Sequence, residues 1–159
     1  MDKNMRISRR TIIGAMGWAI SLATTPVWAE TDASIHVVKD PDCPCCNAWI
    51  GYLRENGFAV SFEERSLEEL TAFKRERGIP ENLVSCHTAT IGDYTIEGHV
   101  PVADIRRLVA ERPAATGLTV PGMPFGSPGM GPEAEREAYD VLLVGLDGSN
   151  SIFSSYPAA

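Results

Sequence analysis

The chain has 159 residues, 44% of them hydrophobic, and carries 14 Lys and Arg against 21 Asp and Glu. That is enough apolar material for one compact domain and too little length for several. The acidic balance argues against nucleic acid or an anionic lipid surface as partner, because both require a basic footprint.

Lys3, Arg6, Arg9 and Arg10 precede an apolar run from Ile12 to Ala23, and Val27 and Ala29 then offer a small-residue cleavage pair. This is the pattern of a signal peptide over residues 1–29, with a mature domain over 30–159 starting at Glu30. Gly14, Gly17 and Ser21 interrupt the run, which falls short of the about 20 apolar residues that a membrane span requires. Ser8-Arg9-Arg10-Thr11-Ile12-Ile13 also resembles a twin-arginine export signal, and an ordinary signal with two arginines fits the same residues. The expected localisation is periplasmic, with no membrane attachment after cleavage, in a compartment where unprotected thiols oxidise. Removal of the leader leaves 10 Lys and Arg against 20 Asp and Glu.

In the mature chain, Ser34 to Val38 reads as a strand that stops at the turn cluster Lys39-Asp40-Pro41-Asp42. Cys46, Trp49, Ile50 and Leu53 recur with the period of a helix, whose first turn holds the cysteines and which Asn56-Gly57 closes. Phe58 to Phe62 alternates as a second strand. Ser66-Leu67-Glu68-Glu69 is a capping box, opening a helix with Leu67, Leu70 and Phe73 inward and ending at Gly78 and Pro80. Thr88 to Ile91 and Tyr94 to Ile96 flank Gly92-Asp93 as a hairpin. Pro101 opens a third helix with Val102, Ile105, Leu108 and Val109 as its stripe, stopped by Pro113. Residues 117–132 contain four prolines and, besides Gly117, four further glycines, which predicts an extended loop and excludes a central strand. Tyr139 to Leu146 is a last apolar β run, paired with Ile152-Phe153 across Asp147-Gly148. The order β-α-β-α-β-β-α predicts an α/β, thioredoxin-like fold. Its mixed sheet would be flanked by helices, with a Pro/Gly-rich loop and an extra C-terminal strand.

The chemistry concentrates in Cys43-Pro44-Cys45-Cys46. Cys43 and Cys46 have the spacing of a redox dithiol at a helix N-terminus, where free N–H groups and the helix dipole favour thiolate. A plain dithiol has no use for Cys45, whereas a metal-thiolate cluster does. Cys86, in Ser85-Cys86-His87, precedes the hairpin, and the predicted fold packs it against the first helix. Two structural disulfides are the plain alternative, and four cysteines allow three pairings. His87 adjoins Cys86. His99 sits before the third helix, a place where a lone histidine is often only a surface residue. His36, inside the first strand, reads as structural. Met123 and Met130 lie in the Pro/Gly loop as possible additional soft donors or as gap-fillers between loop and core. Thiolate with imidazole and thioether selects Cu(I), and a closed Cys/His set also suits zinc.

Four motifs in one order carry a family resemblance. They are Cys43-Pro44-Cys45-Cys46 followed by Trp49; Ser85-Cys86-His87-Thr88-Ala89; Ile96-Glu97-Gly98-His99-Val100-Pro101; and Val120-Pro121-Gly122-Met123-Pro124 with Gly126-Ser127-Pro128-Gly129-Met130. The stretch from Val37 to about Gly148 resembles the CopG-like periplasmic copper-resistance proteins, domain-of-unknown-function family 411. The resemblance implies a thioredoxin-like domain that binds copper through a cysteine cluster, with a multinuclear thiolate-bridged centre among the options. It implies Cys43, Cys45, Cys46 and Cys86 as metal ligands, with His99 or His87 completing the site. Pro44 and Gly131 depart from the residues usual in that pattern, a small Gly and an acidic residue respectively.

The resulting expectation is a binding protein that sequesters Cu(I) or passes it to another periplasmic copper-handling protein. The alternative is a thiol-disulfide or copper-linked oxidoreductase using Cys43 as nucleophile and Cys46 as resolving thiol.

Overall fold

The computed structural model describes residues 34–159, so the expected export signal over residues 1–29 lies outside the described residues. One seven-stranded mixed sheet organises the chain. Strand β1 (Ser34–Lys39) leads into helix α1 (Pro44–Glu55) and returns through β2 (Ala59–Glu64), which pairs parallel with β1. Helix α2 (Leu67–Glu76) follows, then the hairpin of β3 (His87–Ile91) and β4 (Tyr94–Glu97), and then α3 (Val102–Glu111). The strands β5 (Ala115–Thr119), β6 (Tyr139–Gly145) and β7 (Asn150–Tyr156) complete the order β2-β1-β3-β4-β5-β6-β7.

Local sequence accounts for most element boundaries. Pro44 takes the first turn of α1, where its missing N–H costs nothing, and Gly57, at φ 84°, ends the helix in the left-handed region. The Ser66 capping box is present in full: the Glu69 N–H donates to Ser66 Oγ, and the Ser66 N–H donates to Glu69 Oε2. Leu67, however, points to solvent at 70% exposure, contrary to its predicted inward place. Position 67 is the first residue of the helix, before the inward face is established, and that face is made by Leu70 and the stem of Lys74.

Alternation along the strands divides the buried residues between two faces. Ile35, Val37, Ala89, Ile91, Ile96 and Leu118 pack with Trp49, Ile50 and Leu53 of α1 and with Val102, Ile105 and Leu108 of α3. Thr88, Thr95 and Glu97 point to the other face, where α2 lies: Lys74 reaches Thr88 and Glu97, and Arg77 reaches Thr95. Among the described residues, no helix is long and apolar enough to cross a membrane.

The exclusion of a central strand from 117–132 is corrected by β5, which reaches Thr119 between β4 and β6. Gly117 looks like a loop residue in the sequence but marks close backbone approach, because a Cβ there would lie 1.7 Å from the Thr95 carbonyl oxygen. From residue 120 to 132 the chain forms turns and bends with neither helix nor strand.

The C-terminal strand docks on α3 through one buried carboxylate. Asp104 accepts from Tyr156 Oη at 2.6 Å and from the Ser154 hydroxyl, while Tyr156 stacks on Tyr139 with ring centroids 4.9 Å apart. Burial pushes the Tyr139 hydroxyl up to about 12; burial and the Asp104 carboxylate push Tyr156 up as well. An unfolded tyrosine releases its proton at about 10, so above that pH the unfolded state binds fewer protons than the folded one and stability falls. Urea unfolding of the metal-free protein is expected to show a midpoint that drops as pH rises from about 10 toward 12, and the drop is expected to be smaller in Tyr156→Phe. An equal slope in that variant would remove Tyr156 as a source of the effect.

Candidate metal centre

All four cysteines converge at one end of the sheet because of strand register. β3 runs antiparallel to β1 with Lys39 opposite His87, so Cys86 arrives beside the turn that leads from β1 into α1. β4 returns with Glu97 opposite Thr88, bringing Gly98 and His99 to the same edge, where the Gly98 N–H donates to the His87 carbonyl at 3.0 Å. β5 is parallel to β4 and leaves from that edge as well, with Val120 N–H donating to the Glu97 carbonyl. Three connections and one helix N-terminus therefore share a single corner.

Cys43 is the N-cap residue of α1, and Cys45 and Cys46 lie in its first turn. Cys43 and Cys46 form a disulfide, while Cys45 and Cys86 are free thiols. The Cys45 sulfur lies 3.5 Å from that of Cys43 and 3.7 Å from that of Cys86, and the Cys46 sulfur lies 3.6 Å from that of Cys86. All four sulfurs fall within 4.8 Å of one another. Cys46 is fully buried, whereas Cys45 and Cys86 are half-buried and reachable from solvent. The alternative of two structural disulfides is not what the fold adopts, since one bridge forms within the cluster and the other two thiols are left beside it.

Both histidines next to Cys86 are fully buried. His99 is therefore no surface residue: its Nδ1 lies 2.8 Å from the Pro128 carbonyl and its Nε2 lies 3.2 Å from the Cys86 sulfur. A carbonyl only accepts, so Nδ1 carries the proton and Nε2 presents its lone pair to the Cys86 sulfur, the arrangement in which an outer carbonyl orients a ligand imidazole. Burial holds His99 below its ordinary range and His87 well below it, so both rings are neutral near pH 7. His87 Nδ1 lies 3.3 Å from the Cys86 sulfur, and its ring packs on Trp49 with centroids 4.4 Å apart. His87 Nε2 has no hydrogen-bond partner among the described residues. Burial, followed by the neighbouring Cys45, pushes the Cys86 thiol up to about 12, with Lys74 pulling the other way. A metal entering here must therefore displace a firmly held proton from Cys86.

Trp49 ties the helix to the rest of the site. Its Nε1–H donates to the Val100 carbonyl at 3.0 Å, which fixes the segment after His99 against α1. The loop 120–132 closes over the same corner, and Gly129 in it, at φ 83°, passes so near α1 that a Cβ would lie 2.7 Å from the Trp49 backbone nitrogen. Met123 is exposed and Met130 half-buried on that loop. His36 lies apart, half-exposed, with Nδ1 3.0 Å from Ser61 Oγ. Three supporting contacts escape the sequence pattern: the Pro128 carbonyl on His99, the Trp49 indole N–H on Val100, and a buried Lys74–Glu97 pair beneath Cys86, at 2.6 Å. Glu97 lies within one of the quoted motifs, but nothing in the strand's alternation distinguishes a buried, paired carboxylate from a surface one.

The chemistry of the donor set fits a soft cation. Four sulfurs within 4.8 Å of one another, with a neutral imidazole nitrogen 3.2 Å from the Cys86 sulfur, suit Cu(I) or zinc and offer nothing to magnesium or calcium. With Cys43 and Cys46 joined, two of the four sulfurs could serve as thiolate ligands only after two electrons and two protons opened the bond, and a metal would then replace the protons. Gly129→Ala is expected to cost about 2–4 kcal/mol, from a left-handed backbone and a clash with α1. It is also expected to loosen the Pro128 contact, seen as faster exchange of the His99 Nδ1 proton in NMR. Wild-type stability and an unchanged His99 signal would show that the loop does not hold the ring.

A family model described as a protein of unknown function, DUF411, matches residues 83–130. Among curated proteins nothing matches. Two solved structures, titled as forms 1 and 2 of the copper resistance protein copG, are each 41% identical to this chain. They cover 79% and 78% of it and 98% of their own length, with TM-scores of 0.74 and 0.72. With that identity over nearly the whole of each relative, the chain belongs to the CopG-like copper-resistance family.

Proposed function

We propose that this is an exported copper-binding protein that takes up Cu(I) through Cys43, Cys45, Cys46 and Cys86, with His99 completing the site, and sequesters the ion or hands it on as part of copper resistance. The observation that carries this proposal is the convergence of four sulfurs from two segments 40 residues apart, together with a histidine whose Nε2 lone pair is aimed at one of them, Cys86. His87 is the alternative nitrogen donor, and Met123 and Met130 are additional soft donors on the covering loop. Copper in this role is cargo, and close sulfurs can bridge several ions or exchange them ligand by ligand. The order β1-α1-β2-α2-β3-β4-α3, with the cysteines at the start of α1, supports classing the domain as thioredoxin-like. Residues 1–29 would serve as the signal for export to the periplasm, leaving residues 30–159 as the metal-binding domain. The receiving partner would be another periplasmic copper-handling protein.

One observation favours a second activity. Cys43 and Cys46 form a disulfide at a helix N-terminus with a free thiol beside each end, at 3.5 Å and 3.6 Å, which is the geometry of thiol-disulfide exchange. A thiolate attacking one sulfur would form a mixed disulfide and release the other as thiolate, so the same residues could serve a thiol or copper oxidoreductase.

The test uses processed protein recovered from the periplasm of an expressing bacterium, whose N-terminal sequence also reports the cleavage site. As isolated, two reactive thiols per chain are expected, and four after anaerobic reduction. Cu(I) is then expected to bind with loss of all four and to displace zinc, and Cys45→Ser is expected to lower the copper stoichiometry. Full copper binding by Cys45→Ser, or no binding by the reduced wild type, would sink the cluster. Disulfide reductase activity that survives Cys45→Ser and disappears in Cys43→Ser would establish the second activity.

A further inference from the structure

Beneath the cysteine cluster, on the α2 face of the sheet, sits an ion pair that the metal site does not itself use. Lys74 and Glu97 are both buried, at 5% and 0% exposure. Glu97 Oε1 accepts from Lys74 Nζ at 2.6 Å and from the Ser85 backbone N–H at 2.6 Å. Its Oε2 accepts from the Thr88 hydroxyl at 2.6 Å, and Thr88 Oγ1 in turn accepts from Lys74 Nζ at 2.9 Å.

Stability alone is a poor reason for such a network. Removing two charges from water offsets most of their attraction, and well-packed apolar residues of similar volume often do as well or better. What apolar residues cannot do is accept the Ser85 N–H. Ser85 immediately precedes Cys86, whose sulfur lies between 3.2 and 3.7 Å from those of Cys45 and Cys46 and from His99 Nε2. The short segment 85–87 is held at three points: Ser85 N–H by Glu97, the Ser85 hydroxyl by the Gly122 carbonyl, and the His87 carbonyl by Gly98 N–H. The first of these depends on a buried carboxylate, and a buried carboxylate depends on Lys74 and Thr88.

We propose that Lys74, Thr88 and Glu97 are positioning residues for Cys86. By fixing the Ser85 backbone they set where the Cys86 sulfur stands relative to the other three, and thereby how tightly Cu(I) is held. The inference rests on the copper site proposed above, and it concerns residues that touch no metal.

Two double variants separate positioning from mere folding. Lys74→Met with Glu97→Gln removes both charges but leaves a side-chain carbonyl for Ser85 N–H and an amide donor for Thr88. Lys74→Met with Glu97→Leu removes both charges and the acceptor. Cu(I) affinity of the reduced, processed protein is measured by competition with a chromophoric Cu(I) chelator, alongside the urea midpoint and the alkylation rate of Cys86 read by peptide mapping. The Gln variant is expected to keep Cu(I) affinity within about threefold, and the Leu variant to lose tenfold or more with Cys86 alkylated faster. Equal affinity in both, or equal loss in both, would overturn the proposal. If the Leu variant does not fold, Thr88→Val carries the test: affinity at least about threefold weaker supports positioning, and wild-type affinity overturns it. Should the reduced wild type bind no Cu(I), the copper site falls, and the alkylation rates alone decide whether the network positions Cys86.

Discussion

The register of β3 between β1 and β4 is the constraint on which the rest of the site depends. Lys39 opposite His87 and Thr88 opposite Glu97 bring three chain segments far apart in sequence to one edge, and no side chain at the site has to reach far to meet the others. A one-residue slip in either pairing would turn every β3 side chain to the opposite face, so the apolar alternation of Ala89 and Ile91 that builds the core also fixes Cys86 beside α1. Packing and function are thus set by the same pattern. The corner is further closed by Trp49, whose indole N–H joins α1 to Val100 while its ring covers His87.

Much of this was legible in the chain, for reasons that differ by element. The helices announced themselves through strong local signals: Pro44 and Gly57 around α1, the Ser66 capping box, and the apolar stripe from Val102 to Leu108. The cysteines were legible because three in four residues exceed what a packed helix needs. β5 was not, because Gly117 serves a backbone contact with Thr95 that only the folded sheet creates, so a residue that punctuates loops sits inside a strand. His99 stands just before a helix start, where histidines are commonly exposed, and nothing local tells that the loop around Pro128 folds over it. The Lys74–Glu97 pair lay equally hidden, since charged residues on α2 and β4 read as solvent-facing until the sheet face that buries them is known.

Burial keeps the two histidines beside Cys86 uncharged. A cationic imidazole would repel a copper ion and could not ligate it, and removal from water disfavours that form in both rings. The Pro128 carbonyl then selects which nitrogen of His99 keeps its proton. Burial acts on Cys86 in the opposite sense, keeping it protonated until something better than a proton arrives. Neutral rings and a protonated Cys86 let the corner exist free of metal without burying uncompensated charge there, and metal binding would exchange that proton for a cation.

That exchange would compete with the disulfide, because the bond between Cys43 and Cys46 and a metal ion in the proposed site would claim the same two sulfurs. A ligand that binds one of two interconverting states shifts the equilibrium toward it by an amount set by its concentration and affinity. Under the proposed function, Cu(I) bound to the reduced cluster would make the disulfide harder to form, and an oxidising compartment would make copper harder to hold. Cys45 and Cys86 stand outside the bridge and keep two soft donors available in either state, with His99 beside one of them. In the proposed site an incoming ion would meet those two thiols while the bridge is intact and gain the remaining two only on reduction. Metal storage and thiol redox chemistry, if both occur here as proposed, would be two ends of one linked equilibrium at this corner, with Cys45 as the motif's thiol left outside the bridge.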